Sequence, residues 1–222
     1  MATSTVENYI KRIYALQFDK RKGGNVGMGE LAASLGVAPG TATSMVKSLA
    51  KSGHLSYRPR IGVKLTEEGE KLALHVLRRH RLVELFLVKT LGMEWHEIHD
   101  EAEALEHAIS DRLLERIDAL LGRPKLDPHG DPIPSASGDM TERDLIPLDQ
   151  CEEGQEARIG RIEDQEDSFL QYLESNDLTP GILLKVNTMD PQAGILSVVM
   201  NNGVERSLSY PAARKIHVER CG

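Results

Sequence analysis

Cysteine is nearly missing from this sequence: Cys151 and Cys221 are the only two among 222 residues, and they stand far apart. That scarcity excludes a disulfide framework and a cysteine-built zinc site, and it suits a reducing compartment. Any metal held here must be held by oxygen and imidazole. Long hydrophobic runs are missing as well. No stretch approaches the ~18 apolar residues of a membrane span, and residues 1–8 lack the basic-then-apolar pattern of a signal peptide. A cytoplasmic protein with no membrane partner is expected. What is present is a globular composition, 40% apolar, and enough chain for two domains.

The net charge of −7 argues against a nucleic-acid partner until it is divided. Residues 1–64 hold ten Lys or Arg against only Glu7, Asp19 and Glu30, a local +7, which leaves −14 for the remainder. Phosphate attraction needs a locally positive face, not a positive protein, so a basic head on an acidic body fits a DNA reader whose other part binds cations.

Periodicity supplies the elements. Val6, Ile10, Ile13, Tyr14 and Leu16 repeat at helical spacing and predict a helix over 5–19, ending in DKRKGGN. A short helix over 30–35 closes at Gly36, and a second begins near Pro39 and stops at Gly53, which together make a helix-turn-helix. HLSYRPR and GVKLT alternate around Ile61 and Gly62 and read as a two-stranded wing. Thr66 caps a helix running to about 90, and 99–121 reads as one more, closed by Gly122. Residues 123–147 concentrate Pro, Gly, Ser and Asp, the composition of a linker at a domain boundary. Beyond it, ARIGRIE, ILLKVNTM, GILSVVMN, ERSLSY and RKIHVER predict a five-stranded small barrel, with one short helix over 168–175.

In a helix-turn-helix the N-terminal residues of the second helix meet the base edges. Here those are Ala38, Pro39, Gly40, Thr41, Thr43 and Ser44, small or hydroxylic, with no side chain for bidentate readout. Direct discrimination per base is therefore expected to be modest, with duplex shape supplying much of the selectivity. Lys47, Lys51, Arg58, Arg60 and Lys64 are the expected phosphate clamps.

The densest chemistry lies in HDEAEALEH, where His99, Glu103, Glu106 and His107 share one helical face; His80 and Glu84 repeat the i, i+4 relation in HRLVE. Carboxylates and imidazoles gathered this way can converge on one or two divalent ions. A solvated acidic face is the alternative reading. An enzymatic reading also stands, since metalloproteases use H-x-x-E-H, but here Glu103 occupies the first position of that pattern.

ENYIKRIY, RRHRLVE, HDEAEALEHAIS and PHGDPIP together resemble the diphtheria-toxin-repressor family of iron- and manganese-dependent regulators, over nearly the whole chain. The resemblance implies a mainly α protein with a small β part: a winged helix-turn-helix (1–73), a helical metal-binding and dimerisation domain (74–146) and an SH3-like domain (147–222). It implies a metal-dependent repressor that binds palindromic operator DNA as a homodimer and controls metal-ion homeostasis genes, with no small organic substrate. A metal-independent winged-helix protein and a metallohydrolase are the alternatives. By position, the primary metal site would use Glu103, Glu106, His107 and Asn8, and a neighbouring site His80, Glu84 and His99, with Glu166 from the SH3-like domain. Iron sensors resembling this chain carry Cys at position 103, so Glu103 favours Mn(II) over Fe(II). Asn8 stands where manganese sensors have Asp, and Lys11 where some have a Glu ligand. The ammonium of Lys11 cannot ligate; it is expected either to face solvent or to pair with Glu106 or Glu103 until metal displaces it. Ligation should also release protons from the histidines, so the response should weaken in acid.

Overall fold

The computed structural model describes residues 3–19 and 24–221; the Lys20 to Gly23 part of the expected first-helix end lies outside them. The chain divides into two compact units, one of Met1–His80, Glu106–Ile109 and Pro134–Asp139, the other of Arg81–Leu105, Ser110–Ile133 and Met140–Gly222.

The first unit carries the winged helix-turn-helix. Helices α1 (Ser4–Asp19), α2 (Met28–Ser34) and α3 (Pro39–Lys51) are followed by the antiparallel strands β1 (Leu55–Arg58) and β2 (Gly62–Leu65). The apolar periodicity of α1 places Tyr9, Ile10 and Ile13 in a core with Leu31, Val46, Leu49, Leu55 and Val63. Gly36, at φ +64°, makes the turn out of α2, and Pro39 pre-sets the first turn of α3. The hairpin is tied down at its base. Val26 exchanges backbone hydrogen bonds of 2.8 and 2.9 Å with Val63, and the Gln17 side chain of α1 accepts from Leu65 N at 2.9 Å.

Helix α4 (Glu67–Phe86) starts where expected, with Thr66 Oγ1 accepting from Gly69 N at 3.2 Å. It passes into a π-helical turn over Leu87–Leu91 that Gly92 closes at φ +70°. The single helix expected over 99–121 is two. Helix α5 (Ile98–Glu106) stops before His107, and α6 (Asp111–Leu120) begins afresh with Ser110 as its N-cap, φ −78° and ψ 152°, its side chain accepting from Leu113 N. Apolar periodicity on both sides concealed a capping serine that competes with the helix for its own backbone.

The second unit holds a six-stranded antiparallel sheet in the order β3-β8-β4-β5-β6-β7. Its strands are β3 (Ile146–Pro147), β4 (Glu156–Ile162), β5 (Leu183–Asp190), β6 (Ile195–Met200), β7 (Glu205–Ser209) and β8 (Ile216–Arg220), joined in part by α7 (Asp167–Ser175) and α8 (Tyr210–Arg214). The five expected strands and the short helix are all present. Bulges at Ile159/Arg161 and Val186/Thr188 bend β4 and β5, and the closing sheet buries Leu148, Ile159, Leu170, Val186, Val198 and Val218.

The segment read as a linker is a packed element. Asp127 to Asp131, Ile133 and Pro134 are buried, apart from the half-buried Pro132 between them. Asp127 Oδ1 accepts from the backbone of both His129 and Asp131 at 2.9 Å, and His129 O accepts from Ile162 N at 2.8 Å. Satisfying its own polar backbone is what lets a Pro/Gly loop go inside. Gly130, at φ +86°, lies so close to β4 that a Cβ there would collide with the Gly160 carbonyl. Gly130→Ala is therefore expected to cost about 2–4 kcal/mol, lowering Tm by roughly 5–10 °C in a thermal melt. A Tm within a degree of the parent would contradict this packing.

Candidate metal centre and DNA-binding face

The six small residues of the recognition-helix start divide by exposure: Ala38, Pro39, Gly40, Thr41 and Ser44 are exposed and Thr43 half-buried. Thr43 Oγ1 donates to Pro39 O at 2.8 Å and Ser44 Oγ to Gly40 O at 3.0 Å, so both hydroxyl hydrogens turn back onto the helix. Lys47 and Lys51 on α3, and Arg58, Arg60 and Lys64 on the hairpin, are all exposed.

Within the first unit, the ligand candidates gather around Glu106. This carboxylate, at the end of α5, has a fully buried side chain and is gripped by Lys11 Nζ of α1 at 2.7 Å and 3.0 Å to its two oxygens. His80 Nδ1 of α4 approaches Glu106 Oε2 at 2.7 Å. The expected pairing of Lys11 with Glu106 is thus present. His107 follows at once in sequence. Its Nδ1 lies 2.6 Å from Glu7 Oε2, and Arg79 is 3.5 Å from the other Glu7 oxygen. A carboxylate only accepts, so Nδ1 of His107 carries the hydrogen of this contact, and in the neutral ring Nε2 is the nitrogen with the lone pair. That Nε2 is buried with no hydrogen bond, 3.3 Å from Glu106 Oε1. Asn8 Oδ1 on α1 is a second buried acceptor with no hydrogen-bond partner.

Two buried acceptors without hydrogen bonds beside a carboxylate are costly unless something electropositive completes them. The donor set, amide oxygen, imidazole nitrogen and carboxylate, suits a borderline to hard divalent cation. The residues fit a metal. Glu7, which the sequence reading passed over, has the place of a carboxylate that orients a ligating imidazole through its far nitrogen. Its adjacency to Asn8 was the available signal.

Within the second unit a separate cluster forms. Glu84, Asp127 and His129 are all buried and offer ligand atoms within 4.8 Å of one another. Glu84 lies 3.9 Å from His129 Nδ1 and 3.7 Å from the half-exposed His99. Burial first, and then the charge of Asp131, push the Asp127 carboxyl well above the usual range; Arg81 opposes the shift and Glu84 adds to it. Crowded carboxylates of this kind would be relieved by a bound cation. Asp127 and His129 were missed in the sequence because the loop composition of DPHGD hid their burial. Glu103 stands half-buried on α5, one turn before Glu106. Glu166 is exposed at the start of α7, where Ser168 Oγ donates to it at 3.2 Å; it belongs to no metal-type cluster among the described residues. Its neighbour Gln165 donates to Asp131 at 3.1 Å.

Three family models match. They are described as iron dependent repressor, N-terminal DNA binding domain, over residues 1–63; iron dependent repressor, metal binding and dimerisation domain, over 66–135; and FeoA domain, over 146–220. The HTH-type transcriptional regulator MntR of Lysinibacillus sphaericus is 36% identical over 117 residues, 53% of this chain and 81% of that protein. The iron-dependent repressor IdeR of Mycobacterium tuberculosis is 34% identical over 130 residues, 59% of this chain and 55% of that protein. A solved structure of a manganese-dependent transcriptional repressor complex with manganese superposes with a TM-score of 0.87 at 39% identity, covering 97% of this chain and all of that one.

Removing the Lys11 ammonium leaves buried Glu106 short of a cation. In metal-free protein Lys11→Ala is expected to cost about 2 kcal/mol, a Tm drop of roughly 5 °C; an unchanged melt would mean that this pair contributes nothing to the fold.

Proposed function

Because the chain belongs to the family of metal-dependent winged-helix transcriptional repressors, we propose that it represses genes of metal-ion homeostasis, binding palindromic operator DNA as a cytoplasmic homodimer when loaded with Mn(II), with Fe(II) as the alternative ion. We divide it into a DNA-binding part (1–73), a helical metal-binding and dimerisation part (74–146) and an SH3-like part (147–222), a division supported by the three stretches that the family models match. Among the described residues no helix is long and apolar enough to cross a membrane.

The observation that carries the reading is the pair of buried acceptors without hydrogen bonds, Asn8 Oδ1 and His107 Nε2, set around Glu106. We assign Asn8, Glu103, Glu106 and His107 to the primary ion and His80, Glu84 and His99 to a second, with Glu166 as the ligand expected from the SH3-like part. Asp127 and His129 are further candidates beside Glu84. An ion at the primary position would supply divalent charge where Lys11 now supplies one. The protein does the rest: Glu7 orients His107 through Nδ1, and Asn8 extends the donor set to α1. Since α1 also reaches the base of the hairpin through Gln17, a donor on this helix makes metal affinity sensitive to the state of the reading head. For the dimer, α6 presents Leu113 and Leu120, 52% and 67% exposed and two turns apart on one face.

Titration of operator duplex with Mn(II), with Fe(II) and with chelator tests the reading. Chelator is expected to weaken binding by about 5- to 150-fold, the range of a typical coupling energy, and Glu106→Gln should bind DNA as weakly with metal as without. Binding that ignores chelator would leave a metal-independent DNA-binding protein; hydrolytic turnover lost in Glu106→Gln would favour the enzyme. In calorimetry, Lys11→Ala is expected to bind Mn(II) several-fold more tightly than the parent, because the ion no longer displaces an ammonium. Equal or weaker affinity would remove Lys11 as a competitor of metal.

A further inference from the structure

The tip of the β1–β2 hairpin is built under strain. Ile61 N donates to Arg58 O at 3.1 Å, closing a four-residue turn with Pro59 in its second position and Arg60, at φ +68°, in its third. Proline followed by a left-handed residue is the type II turn, whose third position favours glycine or asparagine. A long side chain there is retained against its backbone preference, and strain of this kind collects at binding sites. The tip it builds is exposed: Arg58, Pro59 and Arg60 are open to solvent and Ile61 is 54% exposed. Residues 55–65 contain Arg58, Arg60 and Lys64 and no acid.

The arm below this tip is rigid. Val26 pairs with Val63, and Gln17 holds Leu65 N. A Cβ on Gly62, at φ +122°, would collide with the Val26 carbonyl. A fixed two-stranded arm ending in one strained arginine and one bare isoleucine is more than a phosphate clamp requires. The start of the recognition helix, meanwhile, offers no bidentate side chain, and two of its hydroxyl hydrogens are committed to its own carbonyls. That leaves room for discrimination from a second element.

We propose that the wing tip reads the DNA minor groove, with Arg60 inserted where A·T steps narrow the groove and Ile61 against its wall. The inference rests on the DNA-binding reading above and adds a specificity determinant to it. Narrow A·T-rich minor grooves concentrate negative potential that attracts arginine. The weakly hydrated guanidinium enters such a groove more readily than an ammonium, so lysine is not an equivalent. The minor groove distinguishes A·T from G·C through the guanine 2-amino group and little else.

The test uses the full-length Mn(II)-loaded chain and duplexes that it selects from a randomised pool. A·T pairs protected in the minor groove by the parent, and unprotected by Arg60→Gly, are replaced by G·C or by inosine·C, which lacks the 2-amino group. The parent should lose about tenfold with G·C and recover with inosine·C. Arg60→Gly should bind the A·T duplex about tenfold more weakly, bind all three duplexes alike, and melt no lower than the parent because glycine accepts the turn. Arg60→Lys should likewise lose the preference despite keeping the charge. The proposal is overturned if Arg60→Gly weakens all duplexes equally, keeps the A·T preference, reduces the salt slope by about one and is rescued by Arg60→Lys. Failure of the parent to enrich any duplex would sink the repressor reading together with this one, a result distinct from a phosphate-clamp outcome.

Discussion

A carboxylate with no exposed surface has to be answered by positive charge, and in this protein the answer comes from the first helix. Glu106 is held by Lys11 of α1 on both oxygens and by His80 of α4 on one. Burying a charge is tolerable only when it is paired and hydrogen-bonded. Glu106 therefore fixes where α1 sits against the turn that carries His107. The second carboxylate nearby, Glu7, is answered in the same way by Arg79 and by the ring of His107. Lys11 and Arg79 stand against these two carboxylates. A divalent ion bound there would bring more positive charge than the two carboxylates balance, and the half-buried Lys11 is the cation whose departure to water is cheaper.

Much of this was legible in the sequence, and the reasons differ by element. The winged helix-turn-helix was readable because its signals are local: apolar spacing in α1, the turn at Gly36, proline at the start of α3, alternation in the hairpin. The strands of the second unit were readable because each run is bounded by turn residues. The break between α5 and α6 was not, because Leu105, Leu113, Leu114 and Ile117 continue an apolar rhythm across it while a lone serine decides the matter. Of the candidate site, His80, Glu106, His107, Asn8 and Lys11 were visible as types at spacings. The partner of each was not: that Glu7 orients His107 is a contact between residues 100 positions apart, which periodicity cannot encode.

The burial of 127–134 is the clearest case of tertiary structure overriding composition. Proline, glycine and aspartate announce a turn, and a turn is what forms, with Asp127 capping the backbone of His129 and Asp131. What composition omits is that Arg81 anchors the same loop, at 3.4 Å from Asp127, 3.6 Å from Asp131 and through the Pro132 carbonyl. Arg161 joins Asp131 at 2.8 Å. Held this way, the loop brings Asp127 and His129 to Glu84, so that a stretch with the look of a spacer supplies two of the three members of a buried cluster. Its polar residues serve its shape and its chemistry at once.

The position of Asn8 and Lys11 on α1 decides what kind of device the first cluster can be. A metal site built wholly from α4 and α5 would bind its ion without informing the DNA-binding head. Here a neutral oxygen and a competing ammonium both stand on α1, one turn apart, on the helix that also grips the hairpin base through Gln17 and Leu65 N. Exchange of one cation for another at Glu106 would therefore change what holds α1, and α1 is hydrogen-bonded through Gln17 to the base of the arm that carries Arg60. Under the proposed assignment, coupling of this kind would need no separate relay, because Asn8 and the Gln17 that holds the hairpin base belong to the same sixteen-residue helix. Under that assignment an amide oxygen would suffice at position 8. The donor need not contribute charge to the ion; it has only to bind better when α1 is in the geometry that DNA selects.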